Sequence, residues 1–219
     1  MTLEIRRLHL ASLRGPDGAQ WPVHGFVVIH PGGAALVDTG VGGPDDLLSD
    51  WRVVNRSAAD ALAGLGMSPA DIGLVINTHL HFDHCGQNAV FAHAPVYVQR
   101  AELARAKRET PQLYDWLGFM NASFELLDGD AEILPGVSVI TTPGHQSVVV
   151  RAADGSADLL TGDAAYTPRQ YREPPGPGGS GLPDGQAADF AAWQGSRARM
   201  HALRAARVHF CHHTAVLHQ

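Results

Sequence analysis

The segment Asn77-Thr78-His79-Leu80-His81-Phe82-Asp83-His84 sets three imidazoles and a carboxylate within six consecutive positions, directly after the apolar run Ile72-Gly73-Leu74-Val75-Ile76. The apolar run reads as a buried strand that delivers the cluster at its end. Side chains alternate along an extended segment, so the spacing predicts His79, His81 and Asp83 on one side, with a turn needed for His84 to join them. Two sets of donors then arise from one loop. His79 and His81 can chelate one ion, and Asp83 with His84 can serve a second, through groups that zinc and similar divalent metals accept.

Composition limits what such a site can belong to. At 219 residues, 45% hydrophobic and 17% charged, the chain is an ordinary globular protein, and no composition shift divides it, so residues 1–219 read as one domain. A net charge of −6 without a Lys/Arg run argues against a nucleic-acid partner. The start, Met1 to Arg7, lacks the apolar core of a signal peptide, and no stretch approaches the roughly 18 apolar residues of a membrane span. A cytoplasmic protein without membrane partners is the expectation, and a homodimer stays open. Cys85 and Cys211 are too few for a disulfide framework. Although each neighbours a histidine, they read as small buried residues beside a site.

Along the chain, Leu3 to Leu10 and Gly25 to Ile29 read as strands, and Gly32-Gly33 marks a turn into Ala34 to Gly40, a β-rich opening. Helical spacing follows over Ala58 to Leu65, stopped by Gly66, and then comes the strand that carries the histidines. Val96 to Val98 and Glu102 to Arg108 suggest a strand and a helix. Val137 to Thr141, Ser147 to Arg151 and Leu159-Leu160 suggest further strands. The Pro/Gly-rich stretch Pro168 to Gln186 reads as a loop or lid without regular structure. Beyond it, Phe190, Trp193, Met200 and Leu203 share a helical face that packs into the core, and Val208 to Phe210 close as a strand.

One cluster leaves two ions undercoordinated, so donors at other strand ends matter. His145 follows Pro143-Gly144, Asp163 follows Thr161-Gly162, and His212 follows Phe210-Cys211. Layered sheets place their chemistry at such positions. A lone histidine there is more often structural than a ligand, and it is the combination that carries weight.

With these residues assembled, the chain resembles the metallo-β-lactamase superfamily, whose His-x-His-x-Asp-His signature is matched by His79, His81, Asp83 and His84. Asp38-Thr39-Gly40, His145, Asp163 and His212 follow the family's order. The resemblance implies an α+β fold, a four-layer αββα sandwich with a dinuclear site at one edge. It also implies one metal on His79, His81 and His145, a second on Asp83, His84 and His212, and Asp163 bridging them. Within the superfamily the chain is most similar to N-acyl homoserine lactonases, over His79 to Arg100, Pro143 to Ser147 and Leu160 to Thr167. Those enzymes carry, three positions after the bridging aspartate, a tyrosine that reaches the substrate carbonyl; Tyr166 matches it. Two departures stand out. A single Pro-Gly-His at 143–145 replaces a doubled motif, and His212-His213 replaces a closing His-Asp.

Asp-Thr-Gly also occurs in aspartic proteases, but those need two such carboxylates and only one copy exists here. Asp38 reads as a support that orients the metal loop by hydrogen bonds.

The implied chemistry is ring opening of N-acyl homoserine lactones by a hydroxide shared between two divalent ions. Zinc is the first choice, while iron, manganese and cobalt suit the same donors. Tyr166 would stabilise the oxyanion and Asp83 would relay the proton. Trp21, Phe82, Tyr114, Trp116, Leu117, Phe119 and Met120 are candidates for an acyl pocket. A glyoxalase II-type thioesterase or another small-ester hydrolase is the alternative enzyme, a β-lactamase is weaker, and a metal-binding scaffold is the non-enzyme alternative.

Overall fold

A computed structural model describes residues 3–15, 18–109, 122–142, 145–172 and 190–219. A long hairpin opens the chain: β1 (Glu4–Arg14) pairs antiparallel with β2 (Gln20–Ile29), and both run beyond the bounds that composition suggested. They belong to a seven-stranded sheet with β3 (Ala34–Val37), β4 (Val54–Asn55), β5 (Ile72–Ile76), β6 (Val96–Gln99) and β7 (Phe124–Leu127), in the order β4-β1-β2-β3-β5-β6-β7. The second half supplies β8 (Ala131–Leu134), β9 (Val137–Thr142), β10 (His145–Arg151), β11 (Ala157–Leu160), β12 (Arg207–His209) and β13 (Val216–His218). These form a six-stranded sheet ordered β13-β12-β11-β10-β9-β8.

Alternation along the strands explains the layering. In β5, Leu74 and Ile76 join Phe26, Val28 and Val37 in facing Val139, Val148, Val150 and Leu160 of the other sheet. Val75 points the opposite way, with Val27 and Leu36, onto Ala58, Ala61 and Leu62 of α2 (Ala58–Ala63). Strands β2, β3 and β5 are therefore apolar on both faces, the pattern of a sheet covered on both sides. The second sheet is covered in turn: Val149, Leu159 and Val208 pack against Met200 of α6 (Phe190–Ala202). Helix, sheet, sheet, helix is the αββα arrangement.

The other helices are α1 (Asp45–Asp50), α3 (Phe82–Cys85), α4 (Arg100–Glu109) and α5 (Pro168–Arg172). Three expectations are corrected. Leu203 packs with the core beyond the end of α6 rather than on the helix. The segment from Pro168 does not begin as a loop: Thr167 caps a short helix through Gln170 N at 3.2 Å, and proline is tolerated at a first helical position because its missing N–H would be unpaired there anyway. The rest of that stretch, like Tyr114, Trp116, Leu117, Phe119, Met120 and the Pro143-Gly144 turn, lies outside the described residues. The third correction concerns Asp83. The extended segment ends at His81, the residue that flanks the start of α3, so Asp83 and His84 sit on one helical turn instead of continuing a strand. Among the described residues, no helix is long and apolar enough to cross a membrane.

Candidate metal centre

Strand ends from both sheets converge on one edge. Asp38 directly follows β3, His79 lies three residues past the end of β5, and β10 begins with His145. β11 and β12 run parallel and lead to Asp163 and His212 respectively. Gly162 makes the approach close. Its φ of +54° is a left-handed conformation, and a Cβ there would lie 2.7 Å from Thr78 Cβ, so the loop carrying Asp163 presses directly on the loop carrying His79.

Asp163 sits between two groups of donors. Its Oδ2 lies 3.3 Å from His79 Nε2, and His79 in turn is 2.8 Å from His81 Nδ1 and stacked 4.2 Å from the His145 ring. Its Oδ1 lies 3.2 Å from His84 Nε2 and 3.4 Å from His212 Nε2. Asp83 Oδ2 completes the second group at 3.6 Å from His84 Nε2 and 3.4 Å from His212 Nε2. All seven residues singled out as metal donors in the sequence are thus gathered in one place.

The pocket suits divalent cations for two reasons. His84 Nε2 is fully buried and has no hydrogen-bond partner among the described residues, a costly state that a cation relieves. Asp38, Asp83 and Asp163 are all buried, and among the described residues their ion-pair partners are histidines. Although burial opposes charge on His84, those three carboxylates push its pKa well above the ordinary value, so without metal a proton occupies the position a cation would take. Burial, by contrast, depresses His145 to about 4, which keeps its imidazole neutral and available as a donor.

Asp38 shapes the loop from behind. It adopts φ +59°, and its carboxylate accepts from Thr78 N and Thr78 Oγ1, both at 2.8 Å, while lying 2.9 Å from His84 Nδ1. That last bond fixes the His84 proton on Nδ1 and aims Nε2 at Asp163. His212 is oriented similarly, with Nδ1 2.9 Å from Pro22 O. Both cysteines are buried, as the sequence suggested, and burial raises both thiols well above their usual pKa. Cys211 nevertheless stands nearer the centre than a packing residue would: its Sγ donates to Asp163 Oδ1 at 3.1 Å.

Tyr166 reaches the same edge. Its amide donates to Gln170 Oε1 of α5 at 2.7 Å, and its ring contacts Trp21 and His212 with centroids 5.4 and 5.5 Å away. Burial and the Asp163 charge raise its pKa, so the phenol stays protonated and able to donate. The residues open onto a cavity of about 740 Å³, floored by His81, Asp83, His145 and Asp163 and walled by Trp21, Phe82, Leu47 and Trp51. Leu47 and Trp51 were not singled out from the sequence. They come with α1, whose start, Pro44 followed by Asp45 and Asp46, carries the acidic first turn that could have revealed it.

Similarity to known proteins agrees with this geometry. The family model described as the metallo-beta-lactamase superfamily matches residues 18–212. An N-acyl homoserine lactonase of Bacillus sp is 31% identical over 169 residues, spanning 68% of this chain but only 66% of its own length, about two thirds. The N-acyl homoserine lactonase AttM of Rhizobium radiobacter is 32% identical over 205 residues, 78% of this chain and 76% of its own. In three dimensions, a quorum-quenching N-acyl homoserine lactone lactonase superposes with a TM-score of 0.80 at 24% identity, over 97% of this chain and 93% of the other. The chain therefore belongs to the metallo-β-lactamase superfamily, among relatives named as lactonases, hydrolases of that superfamily.

Proposed function

We propose that the chain is a two-metal hydrolase that opens the lactone ring of N-acyl homoserine lactones. The observation that carries the reading is the Asp163 carboxylate, one oxygen facing His79 and the other facing His84 and His212, at the floor of an apolar-walled cavity. His79, His81 and His145 would hold one ion, Asp83, His84 and His212 the other, with Asp163 shared. When bound, such ions acidify a water toward neutrality and draw charge from an ester carbonyl. The protein's own groups then guide the reaction. The protonated Tyr166 hydroxyl donates to the carbonyl oxygen as negative charge gathers there. Asp83 Oδ2 accepts a proton from the attacking water and returns it to the departing ring oxygen. Trp21, Leu47, Trp51 and Phe82 give the acyl chain an apolar wall, while the polar ring lies over the imidazoles.

The relatives' names support a lactone over a thioester, and a direct comparison tests it. Wild type, Tyr166→Phe and Asp83→Asn are assayed on an acyl homoserine lactone and on an acyl thioester. The reading expects lactone turnover to exceed thioester turnover in wild type and to fall in both variants. Faster thioester turnover, or a Tyr166→Phe variant unchanged on lactone, would overturn it.

A further inference from the structure

Glu102 stands in the first turn of α4, a place where a glutamate ordinarily faces water, yet it is 3% exposed. A buried carboxylate persists only where its oxygens are satisfied. Here Oε1 accepts from Arg105 Nη2 at 2.7 Å and from Leu80 N at 2.8 Å, and Oε2 accepts from Arg105 Nε at 2.8 Å. Arg105 is tied in turn to Glu109 Oε2 at 3.1 Å. The helix thus commits a buried carboxylate, paired with a half-buried arginine, to one amide of the metal loop.

That amide lies between the two histidines whose spacing matters most. The Leu80 side chain is buried against Val98, Leu103 and Ala106, so its amide and its side chain are both fixed by the layer beneath. On the other flank of His79, Thr78 N donates to Asp38 Oδ1. The N–H groups before and after His79 therefore end on carboxylates from separate elements, one at the end of β3 and one on α4. Between these anchors the His79 and His81 rings stand 4.4 Å apart. Glu102 is not among the residues that line the cavity, so it acts through the loop and not on a substrate.

We propose that Glu102, clamped by Arg105, is a positioning residue that sets His79 and His81 at chelating distance. The role rests on the two-ion reading and goes beyond it by assigning the histidine pair its own anchor, independent of the one Asp38 gives to His84. Without Glu102 the Leu80 amide is released and the pair relaxes, while the group around His84 keeps its support.

The test titrates metal-free protein with zinc against a chromophoric chelator and records thermal unfolding of each metal-free variant alongside. Wild type should take up two ions. Glu102→Ala should weaken one of them by about 10–100-fold and leave the other unchanged, the usual cost of losing a group that orients a ligand. Glu102→Gln, which keeps an oxygen for Leu80 N, should recover most of that loss. Arg105→Met, which keeps the Leu80 bond but loosens the clamp, should weaken the same ion by a smaller factor and carries the test if Glu102→Ala does not fold. The proposal is overturned if the variants bind both ions as wild type does, or if both ions weaken equally with a lowered melting temperature. Wild type taking up no ions would instead overturn the two-ion reading itself.

Discussion

Replacing Asp38 with asparagine separates orientation of a ligand from support of the fold. Asparagine tolerates the left-handed backbone that Asp38 adopts at φ +59°, so no strain is added. The carboxylate accepts three bonds, from Thr78 N, Thr78 Oγ1 and His84 Nδ1. An amide has only one oxygen. If that oxygen stays on Thr78 N, the amide NH2 meets His84 Nδ1; turned the other way, it meets the Thr78 N–H. In the first case the His84 proton must move to Nε2, where it blocks the lone pair aimed at Asp163. In the second, a buried donor goes unpaired, at about 1–3 kcal/mol. The first arrangement leaves no buried donor unpaired and so prevails, and it corresponds to roughly a 10–100-fold loss in affinity for the ion next to His84, matching what removal of a ligand-orienting group usually costs. Competition titration of metal-free protein reads the affinity, and a thermal melt of the same sample reads the fold. We expect one ion weakened with a small change in melting temperature. Two ions bound with wild-type affinity would refute the orienting role of Asp38.

Other outcomes follow from the same geometry. Tyr166→Phe should lower kcat/KM on a lactone by about 100-fold with metal content unchanged, since it removes a donor to the developing oxyanion; steady-state kinetics beside metal analysis check this. Stripping metal with a chelator should lower the melting temperature by about 10 °C per ion, because ions that bind only the folded state at 1,000 times their Kd add about 4 kcal/mol, and the carboxylates of buried Asp83 and Asp163 lose their cations. His24 is held near 4 by burial and by the charge of Arg7, so the unfolded chain takes up its proton first, and stability falls as pH drops from about 6.5 toward 4. His24→Gln should flatten that decline in urea unfolding at stepped pH, and an unchanged slope would count against it.

The sequence exposes those parts of the structure that local pattern encodes. The His79 to His84 cluster was legible because six adjacent residues carry four donors, and the five-residue apolar run before it has the length of a strand rather than a helix. Asp163 and His212 were visible as donors at strand ends, but their grouping came through family resemblance, since it depends on β10, β11 and β12 lying side by side. The 168–172 helix was hidden by proline, which signals a break in most contexts and a beginning only where a residue such as Thr167 caps it. The six-residue α1 is too short for periodicity, so Trp51 passed unnoticed. Glu102 was invisible for a different reason. In a helix with Arg105, Lys107, Arg108 and Glu109 it looks like one more surface charge, and only the packing of α4 against the loop after β5 turns it inward.

Lactone opening by two ions held on His79, His81, His145, Asp83, His84, His212 and Asp163 is open to direct measurement. Acid release from a panel of short- and long-chain N-acyl homoserine lactones, measured on protein whose metal content is determined in the same sample, tests it most directly. The expected result is one proton per ring opened, at a rate that rises with occupancy toward two ions per chain. Protein carrying two ions that releases no acid from any lactone in the panel would contradict it.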